Sequence, residues 1–81
     1  MNTPETIQKY MTELDWSVID LARKTLIHHV LLQKYFDGEE SLTQYQVMNI
    51  INKITLKYPQ EKHWSIYHEI IVQPAMKGEN K

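Results

Sequence analysis

Cysteine is absent from this chain, which excludes a disulfide framework, thiolate metal sites and a cysteine nucleophile. Glycine occurs only twice and proline three times, and both fall between periodic apolar segments, so helices joined by short turns are expected and strands are not. No apolar run approaches the roughly 18 residues that span a bilayer. The segment Met1-Asn2-Thr3-Pro4-Glu5 lacks the basic and apolar regions of a signal peptide, so a cytoplasmic protein without membrane contact is expected. Charge of one sign is also missing: nine basic and ten acidic residues give a net charge of -1, which leaves any binding of phosphates to a local basic face. A Ser-His-Asp ordering, a glycine-rich phosphate loop and a metal-ligand cluster are all lacking. Neither an enzyme nor a cofactor is therefore expected.

What is present is ordinary globular composition, 42% hydrophobic and 23% charged over 81 residues, enough for one domain and too little for two. Thr3 is a candidate cap for a first helix with Pro4 at its first position, and Ile7, Tyr10, Met11 and Leu14 then repeat with helical spacing. Ser17 with Asp20 forms a capping-box pattern opening a short second helix, in which Val18, Leu21 and Ala22 share one side and which ends near Thr25. A third helix beginning around His28 buries Leu32 and Tyr35 and stops at Asp37-Gly38. Thr43 and Gln46 form a second box, with Leu42 and Val47 as its hydrophobic staple, and start a fourth helix whose stripe is Val47, Ile50, Ile51 and Ile54. Tyr58-Pro59 ends it. A fifth helix is expected from about Gln60 to Val72, with Trp64, Ile66, Tyr67, Ile70 and Ile71 too widely spread for one narrow stripe. The expected organisation is one all-α, five-helix domain over residues 1–74 and a flexible tail over residues 75–81.

Residues 17–38 carry a more specific pattern. Small Ala22 lies where one helix passes over another, Ile27 sits in the turn, Leu32 and Tyr35 face inward, and Gly38 closes the third helix. With its flanking helices, this segment resembles the Cro/C1-type, phage- or lambda repressor-like helix-turn-helix family over residues 4 to about 57. The resemblance implies a sequence-specific DNA-binding transcriptional regulator, such as a repressor from a phage, plasmid or other mobile element. It also implies that helix three enters the major groove of a two-fold operator as part of a homodimer. Carried onto this sequence, the base-facing residues are His28, His29, Val30, Gln33 and Lys34, and the phosphate-facing ones are Ser17, Arg23, Lys24 and Thr43. Trp64, Tyr67, His68 and Ile71 are the candidates for a dimer or partner contact. The chain departs from the family pattern at Val18, where glutamine is frequent, at Leu26, where the turn glycine is usual, and at Glu39 and Glu40, where basic residues are frequent.

Each feature also has a plainer reading. Arg23, Lys24, Lys34, Lys53 and Lys57 serve solubility equally well, and Glu39-Glu40 suits a solvated loop. His28 with His29, and His63 five residues before His68, are poorly spaced for a shared metal ion. The alternative function is a protein-interaction module on the same fold, an inhibitor or antirepressor, using Val30, Leu31, Phe36 or the fifth-helix aromatics.

Overall fold

The computed structural model describes residues 2–78, and all the regular structure among them is helical. Helix α1 spans Thr3–Leu14, α2 Val18–Thr25, α3 His29–Phe36 and α4 Gln44–Thr55. The fifth helix is a continuous rod of four segments: a 3-10 turn Gln60–Lys62, an α segment His63–Tyr67, a π segment His68–Val72 and a final α segment Gln73–Gly78. It therefore runs beyond Val72 and through Pro74. Residues 79–81 of the expected tail lie outside the described residues. No helix is long and apolar enough to cross a membrane among the described residues.

Local chemistry sets the helix starts. Ser17 and Asp20 bond each other's side chains and backbone N–H groups across the first turn of α2, and Thr43 and Gln46 do the same in α4. In α1 the cap is Asn2 rather than Thr3. The Asn2 amide oxygen accepts from the Glu5 N–H at 2.9 Å, and the Glu5 carboxylate accepts from the Asn2 N–H at 3.0 Å. Reciprocal bonding of this kind satisfies two otherwise orphaned donors, which Thr3 followed by Thr6 cannot match.

Freed from capping, Thr3 has a different task. Pro74 has no N–H to offer the carbonyl four residues back, which is that of Ile70, and its ring crowds that position. The Thr3 hydroxyl donates to this carbonyl at 2.8 Å. The chain accommodates the proline by widening to π geometry just before it, with the Gln73 N–H donating to His68 O. Helix α1 also grips the π segment through Glu69, whose carboxylate accepts from Lys9 Nζ at 2.8 Å and from the Tyr10 hydroxyl. These two donors, Lys9 first, hold the Glu69 carboxyl below its usual range.

One core unites the elements. Ile7 from α1, Leu21 from α2, Leu32 from α3, Ile50, Ile51 and Ile54 from α4, and Ile66 and Ile70 from the fifth helix are all buried. Burial pushes the Tyr35 hydroxyl up to about 12. Helix α2 packs on both α3 and α4, while the fifth helix packs on α1 and α4. The radius of gyration is 12.2 Å, matching the ~12 Å expected of a compact chain this long.

Candidate nucleic-acid interface

Helices α2 and α3 are joined by Leu26, Ile27 and His28, and a buried threonine fixes this turn. Thr25 Oγ1 donates to Leu21 O at 2.8 Å and accepts from the Ile27 N–H at 3.3 Å. From α4, Asn49 Nδ2 donates to the Thr25 carbonyl at 2.9 Å, satisfying a group that the end of α2 leaves free. Ile27 is buried as the wedge between the helices.

Leu26 adopts the left-handed conformation, with φ 61° and ψ 26°, and its side chain is 91% exposed. This is the backbone geometry for which glycine is favoured, here held by a leucine. For a residue with a Cβ this conformation costs about 1–2 kcal/mol, and so little of the side chain is buried that packing offsets almost none of it. Leu26→Gly is expected to raise stability by about 1 kcal/mol, once the greater freedom of glycine in the unfolded chain is allowed for. Urea unfolding checks this: the midpoint should rise with an unchanged slope, and a fall would mean that Leu26 holds the fold through contacts.

Helix α3 divides cleanly along its axis. Leu32 and Tyr35 are buried and Leu31 and Phe36 pack against the core half-buried, so of the three apolar residues expected to meet a partner here only Val30 is exposed. His28, His29, Val30, Gln33 and Lys34 are all exposed and form one strip. His28 is the N-cap, its Nδ1 accepting from the Val30 N–H at 3.1 Å. Because its backbone is extended rather than helical, its ring stacks on that of His29 with centroids 4.7 Å apart, although neighbours within a helix would diverge. Gln33 Nε2 donates to Asp37 Oδ1 at 3.1 Å, so the amide is tethered to an acid at the end of the strip. Gly38, at φ 82°, lets the chain turn back so that the Glu39 N–H reaches Lys34 O at 2.8 Å. Glu39 and Glu40 are exposed beyond this turn.

The expected phosphate-facing residues separate. Arg23 lines a shallow cleft with Ile19, Leu26, His28 and His29, beside the start of the strip. Lys24, the next residue along α2, points instead over the Trp16 ring, 4.8 Å from its centroid. Ser17 is exposed at the start of α2, but the carboxylate of Asp20 occupies that helix end. Hydrogen bonds from the Ser17 backbone and hydroxyl hold the Asp20 carboxyl below its usual range, so the helix end already has its anion. The start of α4 differs because its box partner, Gln46, is neutral. There Thr43, Gln44 and Tyr45 are exposed, Tyr45 by 83%. Tyr45 falls outside the buried stripe of α4, which is the sequence signal that would have marked it as a surface contact.

On the fifth helix Trp64 is 67% exposed and stacks on Tyr67, with centroids 5.7 Å apart, while His68 lies 6.1 Å from the same ring. Tyr67 and Ile71 are half-buried against the core. The Nε2 of His63 lies 3.1 Å from Tyr58 O, which engages this histidine with the turn after α4. No cluster of metal-ligating side chains occurs among the described residues. Comparison with models of protein families, with characterised proteins and with solved structures returns no match to this chain.

Proposed function

We propose that this chain is a small sequence-specific DNA-binding regulator of the Cro/C1 type that inserts α3 into the major groove. The observation that carries the reading is the exposed strip of His28, His29, Val30, Gln33 and Lys34 on a helix whose other side is anchored in the core. Side chains of these types suit base edges: glutamine for adenine, lysine for guanine or phosphate, valine for a thymine methyl. Arg23 and the uncapped N–H groups at Gln44 and Tyr45 supply phosphate contacts. Dimerisation through the Trp64, Tyr67, His68 and Ile71 face of the fifth helix fits a two-fold operator. Such a dimer must present its two α3 helices to successive major grooves, ~34 Å apart.

Selection of bound duplexes from random DNA should enrich a two-fold sequence. With Arg23 and Lys34 neutralising about four phosphates per dimer, affinity for it should fall about a hundredfold between roughly 50 and 200 mM salt. Absence of enrichment, or affinity indifferent to salt, would reject the proposal. One observation favours a second reading, a protein-interaction module. Leu26 holds an unfavourable conformation while exposing its side chain beside Ile19, and such strain is characteristic of a residue retained for a contact. A partner bound there would resist salt.

A further inference from the structure

Tertiary packing gathers Lys24, Lys53 and Lys57 around Trp16 and Leu56, where the end of α2 meets the end of α4, in a cleft of about 300 Å³. We infer that this cleft binds an acidic segment of a partner protein, its carboxylates on the three lysines and an apolar side chain on Leu56 and the edge of Trp16. Leu56 is 73% exposed, so the floor is apolar surface open to water. Among the described residues the ion pair is Lys9 with Glu69, and none of the three lysines of the cleft is paired with a carboxylate. Three like charges at one apolar floor repel one another and attract anions. A ligand with several carboxylates relieves that repulsion while covering the exposed leucine.

The geometry favours a peptide over a nucleic acid. The Lys24 ammonium already lies over the Trp16 ring, so a base could stack on that face only by displacing a cation–π contact. The exposed Leu56 side chain also offers an apolar residue of a peptide a contact that a sugar-phosphate backbone cannot use. The site is built from a different side of α2 than Arg23, so the inference stands whether or not α3 binds DNA.

Trp16 reports on its own site once Trp64, the second of two tryptophans, is replaced by phenylalanine in the full chain. A short synthetic peptide of glutamates flanking a leucine should change Trp16 emission saturably, and increasingly weakly as salt is added. Lys53→Gln with Lys57→Gln should weaken that binding about tenfold with thermal unfolding unchanged. The exposed Lys57→Gln alone should show part of the loss, which keeps the test intact if the pair of changes disturbs folding. Silence of Trp16, equal binding of a peptide with glutamine in place of glutamate, undiminished binding by the variants, or tighter binding of a single-stranded oligonucleotide would each overturn the inference.

Discussion

Leu32→Ala is expected to cost about 3 kcal/mol of folding stability, within the range of roughly 2–5 kcal/mol for truncating a buried leucine. Leu32 is fully buried at the centre of α3, and its side chain belongs to the core shared by all five helices. A domain this small holds only about 4–12 kcal/mol in total, so the loss is a large part of it. The reference is Val30→Ala, two residues earlier on the exposed side, which should change stability by no more than about 0.5 kcal/mol. Urea unfolding followed by circular dichroism distinguishes the two. Equal effects would mean that α3 is rotated from the orientation described, and its exposed strip with it.

The second large effect concerns binding. Lys34→Ala and Gln33→Ala are each expected to weaken operator binding by about 1–3 kcal/mol in gel shifts at fixed salt. The two losses should differ in kind. Removing a lysine that meets phosphate weakens all sequences alike, whereas removing a glutamine that reads adenine relaxes preference at one base pair. Gln33 must also leave Asp37 to reach a base, so Asp37→Asn should shift affinity the opposite way, removing a negative charge near the DNA. If neither alanine variant alters binding, α3 does not read DNA with this face.

Much of the architecture was legible because it rests on short-range chemistry. The boxes at Ser17-Asp20 and Thr43-Gln46 need partners only three residues apart, and the stripe from Val47 to Ile54 needs only helical spacing. The cap of α1 was displaced by one residue because Asn2 and Thr3 are both competent caps. The deciding signal, Glu5 three residues after Asn2, was in the sequence. Pro74 reads as a helix end when only local bonds are counted. It is carried inside the helix because Thr3, distant in sequence, donates to the carbonyl that the proline cannot serve.

For the candidate site the division follows the same physics. The sequence by itself determined that α3 has a buried and an exposed side, and hence that His29, Val30, Gln33 and Lys34 share a strip, because side-chain direction in a helix repeats with the backbone; His28 joins them from its extended N-cap. It also determined that the turn after α2 carries a leucine, Leu26, and no glycine. Only the tertiary structure decided that Leu26 keeps the left-handed turn, held by Thr25, Ile27 and Asn49. It likewise decided that Arg23 stays beside the exposed strip of α3 while Lys24 departs to join Lys53 and Lys57. One step along a helix is a rotation of about 100°, and which neighbour each direction meets is set by the packing of α2 against α3 and α4.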